Sequence, residues 1–336
     1  MRAKIDLKFW FGIAVSLFFM ILLFRKIDFI TLGSAFRSAD YRYVFFAICF
    51  TFLSYFLRAV RWRYLLISEK SIPLSSLYPA TIIGYMANNL LPARLGEFVR
   101  AFTLAQREHL ETPTVFASLV IDRLFDGFTV LLLLLVTLFT FQFPAGMDDS
   151  ARALRAGGLA MLLLYCVVVF FLYLLKRQTV RTLSVVGSIL KPFPQRVSDN
   201  LIPLLGSFIR GIRLSSRGGH VAAIVATSGG IWFCCLLPVH MTLRSFNVNL
   251  PMTASMFILV LLVFAVMVPA SPGFIGTYHY ACYKGLSVFG VPETTSVSIA
   301  LIMHGTGFFP VIIVGLYYLW KNKISLNELQ RAEHAR

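Results

Sequence analysis

The chain has 336 residues, of which 58% are hydrophobic and only 14% charged, and its Lys and Arg outnumber its Asp and Glu to give a net charge of +16. No soluble domain of this size has that composition, so the chain reads as an all-α polytopic membrane protein. The positive charge is no nucleic-acid signature, because the basic residues gather in loops between apolar spans as the positive-inside rule describes.

The first apolar run, at 8–24, follows Arg2, Lys4 and Lys8 and resembles a signal peptide. It has no small-x-small cleavage site and is read as a retained first span. Further runs at 43–66, 114–141, 157–175, 219–238 and 294–320 are each long enough to cross about 30 Å of hydrocarbon. Two other apolar regions are interrupted: 77–105 breaks from Pro92 to Gly96, and 251–290 breaks from Pro269 to Gly273. The stretch 176–218 is strongly basic, with two weakly amphipathic pieces near 179–190 and 196–214 that are expected to lie along the cytoplasmic membrane surface. The same rule places the N-terminus, the C-terminus and the segment after the second span in the cytoplasm.

That orientation constrains the broken regions. Region 77–105 has to enter from the cytoplasm and return there, and 251–290 has to enter from outside and return outside. The expected architecture is therefore about six full spans plus two re-entrant helical hairpins, in one integral membrane domain over 1–336. Residues 43–141 and 219–320 then form inverted repeats, each read as span, hairpin, span. Broken segments at corresponding positions of inverted halves point to a transporter binding site. The alternative is eight complete spans, two of them kinked at Pro.

Ionisable residues within such a chain are site candidates. At the first break, Asn88, Asn89 and Pro92 precede a helix expected from Arg94 that brings Arg94, Glu97 and Arg100 onto one face, with Gly96 between them. Free amides at a helix start and a bidentate arginine suit a phosphate, while Glu97 suits either holding an arginine or carrying a proton. The alternative is a structural Arg–Glu cap. Asp122, Arg123 and Asp126 lie early in the 114–141 span, with Arg123 in reach of Asp126. They read as an internal salt bridge locking this span to the hairpin, or as a proton relay. At the second break, Pro272, Gly273 and Gly276 allow a tight turn and close backbone approach, and His279 follows as a group able to titrate. His304, alone on an apolar helix, is read as a packing residue. Arg58, Arg61 and Arg63 beside Trp62 are read as interfacial anchors of the second span, with Arg61 near a cavity mouth as the alternative.

The five cysteines lie in apolar stretches and read as packing residues. The chain has no GxxxxGK[ST] phosphate loop, no HExxH and no Cys–His metal spacing, so no cofactor or metal is expected.

The elements Arg61-Trp62, then Asn89 to Arg100 with Pro92, Arg94, Gly96 and Glu97, then Asp122, Arg123 and Asp126, then Ser271, Pro272, Gly273 and Gly276 together resemble the lysylphosphatidylglycerol synthase transmembrane-region family, also called flippase-like. The resemblance covers roughly 8–320. It implies translocation of lipid or lipid-linked substrate. The chain lacks the soluble aminoacyl-transfer domain found in some family members, so it is expected not to make lysyl-lipid. It also carries His279 and Asp122 where the family often has Glu. The function expected is a non-enzymatic flippase of the inner membrane, moving an anionic phospholipid or polyprenyl-linked lipid. The alternatives are a non-catalytic subunit beside an envelope-synthesis enzyme, and an intramembrane transferase using a lipid-linked donor. Asp28 and Asp40 in the first outer loop are the carboxylates that a transferase would draw on.

Overall fold

The computed structural model describes residues 29–66, 71–91, 95–140, 148–177, 202–203, 206, 218–267 and 272–322. The expected span at 8–24, the tip residues Pro92 and Arg94, the amphipathic piece near 179–190 and nearly all of that near 196–214 lie outside these. Among the described residues the regular structure is helical and includes no strand. The helices are α1 Phe29–Ser38, α2 Tyr41–Leu65, α3 Leu74–Leu90, α4 Gly96–Glu108, α5 Thr112–Thr140, α6 Asp148–Arg177, α7 Gly218–Ser245, α8 Met252–Met267, α9 Thr277–Ser287 and α10 Glu293–Lys321, with a single 3₁₀ turn at Pro272–Phe274 before α9. Three of them, α2, α7 and α10, are long and apolar enough to cross a membrane. α5 is just as long but carries Asp122, Arg123 and Asp126 in its first half.

Local signals set the helix ends. Asp40 caps α2, its carboxylate accepting from the Arg42 backbone N–H at 3.0 Å. Pro73 and Pro292 precede α3 and α10, where a missing N–H costs nothing. His109 takes the left-handed conformation that ends α4.

α2 and α7 run antiparallel and form the most extensive helix pair. The Asp40 N–H donates to the Ser245 carbonyl at one end, and Tyr64 meets His220 at the other. α3 and α4 fold back on each other as one hairpin, α8 and α9 as a second. α10 lies along both. Its first half follows α9, with His304 against His279 and Glu293 accepting from the Tyr283 hydroxyl. Its second half follows α3, with Tyr318 against Tyr78. At the far end of α10, Arg107 of α4 donates to Asn322 at 2.9 Å. The two hairpins thus open at opposite ends of the bundle. α5 repeats the pattern, with its first half on α4 and its second half on α8. α6 packs mainly on α5, and Leu163, Val167 and Phe170 on its outer side are exposed.

Burial is inverted relative to a soluble protein. Phe45, Phe139, Phe309 and Trp320 face outward, while Arg58, Arg61, Arg100, Asp122 and Asp126 are buried. An apolar exterior around a charged interior is stable where the surrounding solvent is hydrocarbon.

Candidate functional site

The described flanks of the two hairpin tips meet, Gly273 against Asn89. The first is drawn tight where α3 and α4 touch through glycine: a methyl group on Gly96 would overlap the Gly84 carbonyl oxygen. Asn88 Oδ1 accepts from the Gly96 N–H at 2.8 Å and so satisfies an orphan donor at the start of α4. The helix begins at Gly96, with Leu95 at its N-cap. In the second tip Gly273 sits at φ 74°, in the left-handed region, and a methyl group there would lie 2.7 Å from the Phe308 ring and 3.5 Å from the Asn89 carbonyl oxygen. The positive φ and the nearby Phe308 ring call for glycine here, where the second tip lies in contact with Asn89.

Beside this junction lies a network of ions. Asp122 accepts from Arg61 Nε at 2.8 Å and from Arg100 Nη1 at 3.1 Å, with Arg123 Nη2 at 3.4 Å. Asp126 accepts from Arg58 Nη1 at 2.5 Å and Arg61 Nη2 at 2.8 Å, and pairs with Arg123 Nη1 at 3.0 Å. Arg61 Nη1 donates onward to Ser228 Oγ at 3.1 Å, so this one side chain, 0% exposed, joins α2, α5 and α7. Each Asp therefore has three guanidinium neighbours, the arrangement that lets buried charges persist in a membrane interior.

Glu97 is placed differently. Its partners are Arg123 Nε at 3.4 Å and Arg100 Nη1 at 4.0 Å, and its Oε2 makes no hydrogen bond. Arg100 is 1% exposed, with its guanidinium 4.1 Å from the centre of the Trp62 ring, yet its Nε and Nη2 also lack hydrogen-bond partners. Arg123, with a side chain 37% exposed, is the open edge of the network, and its Nη2 donates to the Tyr85 hydroxyl at 2.9 Å. Among the described residues four guanidiniums face three carboxylates, leaving one positive charge uncompensated.

The structure thus brings Asn88, Asn89, Gly96, Glu97, Arg100, Asp122, Arg123, Asp126 and Gly273 to one place. The salt bridge expected between α5 and the first hairpin is present, as is the Arg123–Asp126 pair. Gly276 and His279 stand on the second tip, where His279 Nδ1 accepts from the Gly276 N–H at 3.3 Å. Pro272 opens the 3₁₀ turn.

One expectation is corrected. Arg58 and Arg61 are not interfacial anchors but buried members of the network, because the second half of α2 is enclosed by α5 and α7. Their one-turn spacing put both on a single face of an apolar helix, a signal of inward pairing that the general basic character of 58–63 obscured. His304 is likewise more than packing: its Nε2–H donates to the Gly273 carbonyl at 2.7 Å and ties α10 to the tip. Tyr85 and Ser228 carry no sequence signal of their own. Asp40 is engaged in its cap and in an ion pair with Arg42 at 2.7 Å, and Asp28 lies outside the described residues. Among the described residues no group of His, Cys, Asp or Glu has metal-binding proximity.

Comparison with known proteins gives a consistent result. The family described as the lysylphosphatidylglycerol synthase TM region matches residues 9–315. A UPF0104 membrane protein of Methanothermobacter thermautotrophicus is 25% identical over 299 residues, covering 84% of this chain and 86% of that one. A second UPF0104 membrane protein, from Methanocaldococcus jannaschii, is 20% identical over 242 residues, covering 70% of this chain and 95% of its own. Glycosyltransferase AglD of Haloferax volcanii is 31% identical over 150 residues, which is 44% of this chain but only 24% of AglD. No solved structure shows a significant match.

Proposed function

The chain belongs to the lysylphosphatidylglycerol synthase TM region family, and on that premise we propose that it moves an anionic phospholipid or polyprenyl-linked lipid between the leaflets of the cell membrane. The observation that carries this reading is the meeting of Gly273 with Asn89, at the tips of hairpins that open at opposite ends, beside a charged network with an excess positive charge. A polar headgroup would pass through this junction while its acyl chains stay in lipid. Arg123, the exposed edge of the network, is the first phosphate contact.

The helix pairing supports an inverted repeat. α2 corresponds to α7, α3 and α4 to α8 and α9, and α5 to α10, and the pairings among these helices in one set are matched in the other. Rocking of one repeat against the other would then expose the site to either side. The basic loops favour an orientation with both termini in the cytoplasm.

The test is a headgroup-quenching assay in proteoliposomes with fluorescent anionic and zwitterionic lipids. The expected result is translocation of the anionic lipid by the wild type, loss of it in Arg123→Ala, and retention in Leu163→Ala on the outer face of α6. Equal rates in protein-free vesicles would end the flippase reading.

A second reading draws on the similarity to a glycosyltransferase: a membrane subunit that holds a lipid-linked substrate for a glycan-synthesis enzyme. It predicts co-purification with such an enzyme and no translocation by the isolated protein.

A further inference from the structure

The unpaired atoms of the network are of two kinds. Arg100 Nε and Nη2 are buried donors with no acceptor, and Arg123 Nε makes an ion pair but no hydrogen bond. Glu97 Oε2 is an acceptor with no donor. Among the described residues these atoms have no partner within the protein, and a ligand that meets both kinds would relieve the cost of burying them. An oxyanion alone would accept from the arginines but meet the bare Glu97 carboxylate. A protonated Glu97 alone would leave the arginines unanswered. Together they complete the set: the anion accepts from Arg100 and Arg123, and the Glu97 hydroxyl donates to the anion.

The geometry points to Glu97 as a proton-binding group coupled to anion binding, taking up one proton from solvent when a phosphate oxygen occupies the free N–H groups of Arg100. The inference rests on the anion-site reading above and adds its coupling to protons.

The surroundings single out Glu97. Among the described residues, the charged and titratable groups facing it are Arg100 on its own helix, Asp122, Arg123 and Asp126 on α5, Tyr85 on α3, and behind these Arg58 and Arg61 on α2. Asp122 and Asp126 are each held by three guanidiniums. Glu97 is reached by two, at longer distance, and at 22% exposure it is the most accessible carboxylate of the three. Protonating it raises the excess charge of the network by one and so strengthens the hold on an anion. By linkage the anion equally strengthens the hold on the proton.

The test uses the full-length protein in phosphatidylcholine nanodiscs. It is titrated calorimetrically with short-chain phosphatidylglycerol and, separately, with inorganic phosphate, in two buffers of different ionisation enthalpy, so that protons taken up per anion bound are counted directly. Wild type is expected to take up close to one proton, with affinity falling by about tenfold per pH unit as pH rises through the coupled range. Glu97→Gln is expected to bind with no proton uptake and a flat pH dependence, and Glu97→Asp to restore both. Binding of phosphatidylglycerol alone identifies a lipid headgroup as the source of the anion, and binding of both probes identifies a general phosphate site. Binding without proton uptake in the wild type, or the same uptake in Glu97→Gln, overturns the coupling while leaving the anion site standing. Absence of binding by either probe overturns both.

Discussion

The two hairpin tips solve the same mechanical problem with different chemistry. Each breaks a helix inside the bundle and needs its freed backbone groups satisfied where water is scarce. The first tip is held from the side by ions: Arg100 and Glu97 are tied to Asp122 and Arg123 of α5, and Asn88 caps the new helix. The second tip is held by neutral groups. His279 accepts from the Gly276 N–H, His304 donates to the Gly273 carbonyl, and the two rings lie 4.7 Å apart among Tyr278 and Phe308. In the proposed function, charge would mark where a polar headgroup is read, and the neutral tip would supply a close-fitting wall. A chain whose halves share one helix pairing can divide recognition and closure between them in this way.

The largest effect should come from the ionic side. Asp122→Ala leaves Arg61 with Asp126 alone and Arg100 with only the Glu97 carboxylate at 4.0 Å, and uncompensated buried charge costs roughly 3–5 kcal/mol. The protein should lose monodispersity in mild detergent, measured by size-exclusion chromatography and thermal unfolding. A variant as stable as wild type would show that the network is solvated rather than buried.

Gly96→Ala should come next, at about 1–3 kcal/mol, since its methyl group overlaps the Gly84 carbonyl and must push α3 from α4. Thermal unfolding with a Gly84→Ala comparison reads this, and both variants should be impaired. On the neutral side, His304→Ala removes one hydrogen bond and should cost about 1 kcal/mol. Hydrogen exchange should then rise at the second tip and stay unchanged at α5. Equal exchange at both sites would contradict the division between the tips.

The smallest effect should be at Asp40. Its carboxyl is held below the usual carboxylate range, chiefly by the hydrogen bond from Arg42. A depressed folded-state value contributes stability above the unfolded value and loses it as pH falls through the folded value. Because Asp40 is exposed to solvent, the loss on acidification below the normal Asp range should be slight, and Asp40→Asn, which keeps the cap, should remove it. A matched pair of acid-unfolding curves checks this.

Much of the architecture was legible in the residues. Apolar runs placed α2, α5, α6, α7 and α10 to within a few residues, except where α6 starts earlier and α7 ends later than their most apolar cores. Pro and Gly located both breaks. Charged residues at helix positions drew attention to Glu97, Arg100, Asp122, Arg123 and Asp126, because an ion inside an apolar helix has few bland explanations. Periodicity cannot assign partners, however. The basic cluster of 58–63 read as an interfacial anchor, and only the packing of α2 between α5 and α7 shows Arg58 and Arg61 turned inward.

The sequence by itself determined that this is a helical membrane protein, where its helices break and which side chains are too costly to leave unpaired, since each of these follows from local composition and the solvent it implies. Tertiary structure alone decided which charges neutralise which, that Asn89 and Gly273 meet across the two hairpins, and that Glu97 and Arg100 keep unpaired atoms. Those are distances between residues far apart in the chain, and they are fixed only when the helices pack.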